Sequence, residues 1–179
     1  MNIYLETERL IIREIRPEDE ADMFAMDSDA EVHRYLGNKP YTEISQTRDN
    51  IAFIRKQYED HGVGRWAVLH KETDEFVGWT GFKRMTEMVN GHINHLDFGY
   101  RHARKFWGQG YGHEAAIAAL TYGVETLGFK DIYAMTEVSN AGSRRILEKL
   151  GFRLIKIFPY DGPNFWVADL PVTWYQLEL

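Results

Sequence analysis

The feature that most constrains this chain of 179 residues is the segment KFWGQGYGHEA, residues 105–115, in which three glycines alternate with larger residues. Residues 94–102 before it are predicted to form a strand, and residues 113–127 after it a helix with one apolar face. A strand, a Gly-rich loop and a helix together present free backbone N–H groups at the positive end of the helix dipole. Because glycine lacks a Cβ, an anionic group can approach this backbone closely. The segment therefore suggests a cradle for a pyrophosphate.

Other interpretations of the glycine segment are tested by the residues around it. A P-loop requires a Lys-Ser/Thr pair after the glycines, but His113 and Glu114 stand there, which excludes it. A dinucleotide fingerprint has the spacing G-x-G-x-x-G, whereas this segment has G-x-G-x-G and does not open a βαβ unit. A purely structural glycine turn stays open at this point.

The order of the predicted elements defines the fold class. It is strand, two helices, three strands, helix, strand, helix and two strands, which is typical of a mixed α/β (α+β) sheet domain and not of a regular βαβ winding. The length favours a single domain over residues 1–179. The predicted strands are residues 8–15, 66–70, 76–83, 94–102, 131–138, 152–158 and 165–176. One predicted helix begins at Pro17, and three others cover residues 43–60, 113–127 and 141–150.

Composition excludes several classes of function. The chain has no apolar run near the roughly 20 residues of a membrane span, and we expect neither a membrane partner nor a signal peptide. Cysteine is absent, which excludes disulfides and thiolate metal sites and fits a cytoplasmic protein. The pair His92 and His95 lacks further zinc ligands, so no metal is expected. A net charge of −6, with no long basic run, argues against nucleic acid as a partner.

Five stretches follow one another along the chain: ETERLIIREIRPEDE, EVHRYLG, FVGWTGF, FGYRHARKFWGQGYGHEA and NAGSRRILEKLGF. In this order they resemble the GNAT N-acetyltransferases, and within them the RimJ/RimL branch, named for N-terminal acetylation of ribosomal proteins. The resemblance covers nearly the whole chain. It implies the GNAT fold, with a central mixed and mostly antiparallel sheet of about seven strands and about four helices. It also implies acetyl-CoA as acetyl donor, with its pyrophosphate on the N–H groups of residues 108–113.

The resemblance further implies which residues bind acetyl-CoA. The superfamily pattern Gln/Arg-x-x-Gly-x-Gly/Ala has Trp107 at its first position here, and the backbone of Tyr100 and His102 would hold the pantetheine and the thioester. The family prefers an aliphatic residue where His102 stands, and we expect His102 to be a solvent-facing strand residue rather than a pH-sensitive group. Arg104 and Lys105 either add charge for the phosphates or are solvated. The implied binding set is Tyr100, His102, Trp107, Gly108, Gln109, Gly110, Tyr111, Gly112, His113, Asn140 and Ser143.

Acetyl transfer from a thioester requires a polarised carbonyl, a deprotonated amine and a proton for the departing thiolate. Leu147 stands where many superfamily members have a proton-donating Tyr. The Asn-x-x-Ser pattern of the branch implies instead that Asn140 holds pantetheine and that Ser143 is the acid, although both residue types also cap helices. Asp97 and Glu137 are the candidate bases, each acting through a water, with surface carboxylates or no dedicated base as the alternatives.

The predicted acceptor is a primary amine that attacks the thioester directly in a ternary complex. The resemblance favours a protein N-terminus, while a small molecule (polyamine, antibiotic or amino acid) and a non-catalytic acyl-CoA sensor stay open. The protein is expected to be a monomer or a homodimer. Tyr160, Phe165 and Trp166 are expected to shape the acceptor pocket. The acidic cluster within residues 18–31 would either attract a cationic substrate or form a solvated helix start.

Overall fold

A computed structural model describes residues 4–162 and 169–178, and all structural statements concern these residues. Eight strands and five α-helices occur among them. The strands are β1 (Tyr4–Glu6), β2 (Leu10–Glu14), β3 (Arg65–His70), β4 (Phe76–Met85), β5 (His95–His102), β6 (Ile132–Glu137), β7 (Phe152–Pro159) and β8 (Pro171–Leu177). The helices are α1 (Glu20–Asp27), α2 (Ala30–His33), α3 (Ile44–His61), α4 (Tyr111–Thr121) and α5 (Ala141–Lys149).

The strands form one mixed sheet in the order β1-β2-β3-β4-β5-β6-β8-β7. Every neighbouring pair is antiparallel except β5 and β6, which are parallel. That parallel pairing is short, because only Leu96 with Ile132 and Asp97 with Tyr133 lie in register. Beyond Asp97 the two strands diverge, and their facing edges no longer pair. The sheet therefore has an opening near its centre.

Helices cover both faces of the sheet. Successive side chains of a strand point to opposite faces. On β4, the ring of Phe82 lies 5.0 Å from that of Phe129, which follows α4, whereas the Lys83 ammonium lies 5.0 Å from the ring of Phe53 on α3. Helices α3 and α4 thus pack on opposite faces. The opening between β5 and β6 connects these two faces.

The predicted α/β class and mixed sheet are confirmed, with differences in detail. The prediction of about seven strands and four helices omitted β1, which has three residues, and α2, which has one turn. The helix predicted for residues 113–127 begins earlier, at Tyr111, and continues beyond Thr121 as a π-turn, Tyr122–Thr126. Part of the strand predicted for residues 165–176 lies outside the described residues. No helix in the described part is long and apolar enough to cross a membrane.

Candidate active site

The opening between β5 and β6 widens into a cavity of about 680 Å³. It is lined by β5, the glycine segment, the end of β6 and the start of α5. The amide of Ala103 donates to Val77 O on β4 over 2.9 Å. Because backbone groups alternate in direction along a strand, those of Tyr100 and His102 point the other way, into the opening. The backbone groups of Tyr100 are thus directed into the opening, and their role in ligand binding stays a prediction.

The glycine segment supplies the donors on one wall of this cavity. Within the described structure, none of the backbone N–H groups of residues 108–113 donates a hydrogen bond, and Glu114 is the first residue bonded in helical fashion, to Gly110 O at 3.1 Å. Gly110 caps α4 with φ of 84°, a conformation that glycine adopts without strain. These free N–H groups lie at the positive end of α4, where an anion is favoured, and together they are called the anion cradle.

Nine of the eleven predicted binding residues line the cavity, but Gln109 and Tyr111 do not. The Gln109 side chain turns back to donate to Lys105 O at 2.7 Å. Tyr111 is buried in the core and its ring packs edge-on against Phe106. Their side chains therefore face away from the cavity, whereas their backbone N–H groups belong to the free set of residues 108–113.

Trp107 occupies one backbone hydrogen-bonding group of the opening, the carbonyl of His102. Its side chain is about half exposed (46%), and its indole N–H donates to His102 O at 2.8 Å. The prediction that His102 presents free backbone groups is thus corrected for the carbonyl, which already accepts a hydrogen bond. Trp107 instead anchors the loop against the end of β5.

The His102 side chain is partly buried where it lines the cavity, so the expectation of a solvent-facing residue is wrong in part. Its ring stacks on Tyr100 and lies so close to α4 that a Cβ on Gly112 would approach it to 3.1 Å. Its Nε2 atom is buried and has no hydrogen-bond partner among the described residues. Burial lowers the pKa of His102 to about 4, so the imidazole is neutral near pH 7. The glycine at 112 provides the room for this ring.

The cations at the cavity differ from the two considered in the sequence. Arg104 pairs with Asp29 and Lys105 with Glu75, and neither lines the cavity. Arg145 and Lys149 do line it, four residues apart and exposed on α5. Arg145 and Lys149 were not predicted from the sequence, although their spacing of four residues places them on one face of the predicted helix.

Three polar groups meet where α5 begins. The side-chain oxygen of Asn140 accepts the Ser143 amide N–H at 3.1 Å and thereby caps the helix. Its NH2 group makes no hydrogen bond within the described chain, and Asn140 lines the cavity. The Ser143 hydroxyl lies 3.1 Å from the Tyr100 hydroxyl, and burial raises the pKa of Tyr100. Buried Leu147 lines the same wall.

A second cavity of about 320 Å³ adjoins the first and lies on the α3 face. The two share the β5 residues Phe98–Arg101 together with Leu36 and Met135, so they meet at the opening of the sheet. Seven aromatic residues line the second cavity: Tyr41, Phe53, Trp79, Phe82, Phe98, Tyr100 and Tyr160. Tyr160 was predicted to shape an acceptor pocket; Phe165 and Trp166, named with it, lie outside the described residues.

The two predicted bases differ in position. Asp97 lines the second cavity, where its carboxylate accepts from the Arg65 guanidinium. Glu137 lines neither cavity and accepts from the Ser139 hydroxyl at the end of β6. The structure therefore brings Asp97, but not Glu137, to the cavities, since Glu137 is the last residue of β6 and bonds Ser139 beyond it.

The acidic cluster of residues 18–31 is largely neutralised. Five of its carboxylates form ion pairs: Asp19 with Arg13, Glu20 with Arg48, Asp27 with Arg101, Asp29 with Arg104 and Glu31 with Arg34. Asp27 is fully buried, and Arg101 and His33 lower its pKa against the opposing effect of burial. Paired carboxylates attract a cationic ligand weakly, so this cluster does not form an acidic entrance to the site.

Comparison with known proteins identifies the class that this fold and site define. The family model for the acetyltransferase (GNAT) domain matches residues 9–153. An uncharacterized N-acetyltransferase, p20 of Bacillus licheniformis, is 35% identical over 149 residues, which are 83% of this chain and 82% of that protein. The chain belongs to the GNAT acetyltransferase family and is an acyltransferase enzyme.

Solved structures share the fold. A GNAT-family acetyltransferase of Bacillus anthracis superposes with a TM-score of 0.79 at 23% identity, covering 98% of both chains. A Salmonella typhimurium acetyltransferase that modifies the N-terminal serine of ribosomal protein L7/L12 has a TM-score of 0.77 at 15% identity, covering 97% of this chain and 96% of that one. A spermidine N-acetyltransferase of Vibrio cholerae, in complex with CoA and spermine, has a TM-score of 0.74 at 16% identity, covering 96% of each.

These neighbours differ in acceptor, one acting on a protein N-terminus and another on a polyamine. At such identities the likeness concerns the fold alone, and fold does not select the acceptor. GNAT enzymes use acetyl-CoA as a substrate, which agrees with the anion cradle at α4.

Proposed function

We propose that this protein transfers an acetyl group from acetyl-CoA to the primary amine of a small molecule. The observation that supports it is the meeting of the two cavities at residues 98–101, with a phosphate cradle on one side and an aromatic chamber on the other. The thioester would lie where the cavities join, and the amine would enter from the α3 face. The five sequence stretches support placement in the RimJ/RimL branch.

Acetyl-CoA would be held along the larger cavity. The N–H groups of residues 108–113 suit its pyrophosphate, and Arg145 and Lys149 lie where they can neutralise its phosphates. The Asn140 NH2 group and the Tyr100 backbone suit the amide groups of pantetheine. Gly108 supports this fit, because a Cβ built there would meet no atom within 4 Å and would project into open space.

The chemistry is a direct attack in a ternary complex. The amine nitrogen forms a bond to the thioester carbon, the C–S bond breaks, the nitrogen loses one proton and the thiolate gains one. Ser143 and Tyr100 are the hydroxyl groups at the cavity, and the raised pKa of Tyr100 keeps it protonated. We assign the proton donor to this pair, with Ser143 nearer the start of α5. The chain has no cysteine to form a covalent intermediate.

Asp97 is the proposed proton acceptor, acting through a water. Its Oδ2 atom accepts from Arg65, whereas Oδ1 accepts no hydrogen bond within the described structure. Oδ1 is therefore the oxygen that can bind a water facing the amine. An amine that enters already neutral needs no such help, in which case Asp97 serves chiefly to balance Arg65.

The aromatic walls favour a small acceptor over a protein N-terminus. Tyr41, Phe53, Trp79 and Tyr160 supply aromatic rings to the second cavity, whereas the rings of Phe82, Phe98 and Tyr100 lie on the other side of their strands. Aromatic walls enclose an apolar body better than they fit an extended polar backbone. A peptide would instead require an open groove with backbone hydrogen-bond partners.

The test begins with calorimetric titration of the purified protein with acetyl-CoA, with NADPH and ATP as controls. Thiol release is then measured with primary amines and with short peptides that have a free N-terminus. Selective acetyl-CoA binding and a higher kcat/KM for small amines support the proposal. Selective turnover of peptides would contradict the small-molecule acceptor, and absence of acetyl-CoA binding would contradict the proposal as a whole.

A further inference from the structure

Lys83 on β4 lines the second cavity, the proposed acceptor chamber. The residue is largely buried, and its ammonium lies 5.0 Å from the ring centre of Phe53 on α3. Its cross-strand neighbour in register is Asp97, the last residue of β5 that pairs with β6. The amine end of this side chain therefore lies on the α3 side of the chamber, beside Phe53.

The other charges of the chamber are already paired. Arg65 donates to Asp97, and Arg101 donates to buried Asp27 over 2.6 Å. Lys83 makes no hydrogen bond or ion pair within the described residues, although the charges of Asp97 and Glu87 act on it, and residues 163–168 include no acidic side chain that could form an ion pair. Among the described cations that line the chamber, Arg65 and Arg101 each bond a carboxylate and Lys83 does not.

A positive charge is unfavourable in a chamber that receives amines. Burial lowers the pKa of Lys83, which is the expected response of an ammonium removed from water without a full partner. A polyamine, which has several positive charges, would be repelled by this residue. The arrangement is favourable only when the occupant brings a negative charge of its own.

We propose that the Lys83 ammonium binds a carboxylate of the acceptor, so that the acceptor is an amino acid in the broad sense, with one amine and one carboxylate. The inference rests on the proposed small-amine acetylation. A single ammonium without an ion pair is matched by a monovalent carboxylate, whereas a phosphate monoester has nearly two charges at neutral pH. The apolar body of the acceptor lies against the aromatic walls.

The geometry orients such an acceptor. Along β5, Asp97 and Tyr100 are three residues apart, roughly 10 Å at the rise of a strand. Lys83 stands opposite the first and Thr80 opposite the second. A carboxylate held by Lys83 therefore leaves the amine end directed toward Tyr100 and the opening, where the acetyl group arrives.

The experiment compares acceptors that differ in the acidic group alone. L-Phenylalanine is paired with 2-phenylethylamine, L-leucine with 3-methylbutylamine, and ethylamine with β-alanine, taurine and phosphoethanolamine. We expect kcat/KM to be at least about tenfold higher with the carboxylate, the usual effect of a hydrogen bond between charged groups. Among the ethylamine series, β-alanine is expected to be best, and a preference for the sulfonate or phosphate overturns the carboxylate assignment.

Variants then test Lys83 itself. Lys83→Met keeps the length of the side chain without its charge and should abolish the carboxylate preference, mainly through KM, whereas Lys83→Arg should retain part of it. Acetyl-CoA affinity should not change, since Lys83 does not line the larger cavity. Lys56→Met is the matched control, because Lys56 lies on the surface of α3 and pairs with Asp60.

The outcomes separate the two proposals. This inference fails, and small-amine acetylation stands, if amines without a carboxylate have the same kcat/KM as the matching amino acids. It fails likewise if Lys83→Met leaves the preference intact. If no small amine is acetylated although acetyl-CoA binds, the proposed acceptor class fails and the inference fails with it. Loss of the preference in Lys83→Met alone, with Lys56→Met unchanged, supports the assignment.

Discussion

The hydroxyl of Tyr100 lies 3.1 Å from the hydroxyl of Ser143 and 3.0 Å from the Ser143 carbonyl oxygen, although 43 residues separate them in sequence. Tyr100 belongs to β5 and Ser143 to α5, so this contact spans the opening of the sheet. Tyr100 lines both cavities, and Ser143 lines the larger one. The two hydroxyls thus form one polar unit at the point where thioester and amine would meet.

Removing either hydroxyl of this unit should slow acetyl transfer. We expect Ser143→Ala to lower kcat by about 10²-fold, the lower range for loss of a general acid, while the Kd for acetyl-CoA changes by less than about threefold. Tyr100→Phe should have a comparable effect on kcat. Because the hydroxyls act as one unit, the double variant should be little worse than either single variant. Single-turnover rates measure the chemical step, and additive losses would show that the two act separately.

Asn140 has two roles that substitution can separate. Asn140→Ser keeps an oxygen for the Ser143 amide N–H but removes the NH2 group, so we expect unchanged stability and weaker acetyl-CoA binding. Asn140→Ala removes both and should also lower the free energy of unfolding by about 1 kcal/mol. Urea unfolding and calorimetric titration on the same two variants measure these effects. Equal acetyl-CoA affinity in Asn140→Ser and wild type would restrict Asn140 to the helix cap.

The sequence predicted much of the fold because periodic segments bounded by glycine and proline are local signals. The prediction missed strand β1 because three residues are too few to show the alternation of a strand. It missed α2, capped by Asp29, because a single helical turn is too short to show helical spacing. The glycine segment likewise predicted the strand, glycine loop and helix that carry the free N–H groups, since these are contiguous. The inward or outward direction of the Gln109 and Tyr111 side chains was not predictable, because contiguity does not tell which residues of a loop turn inward.

The acceptor side could not be predicted in the same way. Lys83, Asp97 and Phe53 come from three elements, and only the packing of α3 on the sheet brings them together. The burial of His102 depends on Gly112, ten residues later, which leaves room for its ring. Such relations follow from register and helix packing, for which the residues themselves give no local pattern.

The cations of α5 should contribute to acetyl-CoA affinity. We expect Arg145→Ala and Lys149→Ala each to raise the Kd several-fold at low salt, since both line the cavity beside the phosphate cradle. The effect should shrink in about 0.5 M salt, because exposed charges are screened. Arg104→Ala is the matched control, as this exposed arginine pairs with Asp29 outside the cavity. An equal effect of Arg104→Ala would indicate general electrostatic attraction in place of a defined contact.

The partly buried imidazole of His102 should make the protein sensitive to acid. Above pH 6.5 the ring is neutral in both the folded and the unfolded state, and its titration does not alter stability. As the pH falls below 6.5, the unfolded chain binds a proton that the folded protein resists until about pH 4, so the free energy of unfolding decreases. Between pH 6.5 and about pH 5 the loss from this residue is about 2 kcal/mol.

His102→Leu introduces the aliphatic residue that the family resemblance led us to expect, and it removes this titration. Urea unfolding at about pH 7.5 and about pH 5 should therefore show a smaller loss of stability in the variant than in wild type, by about 2 kcal/mol. His95→Leu serves as a comparison, because burial also lowers the pKa of His95, at a position outside both cavities. If wild type and His102→Leu lose the same stability on acidification, the ring of His102 is hydrated in solution, and its stacking between Tyr100 and α4 is looser than the structure indicates.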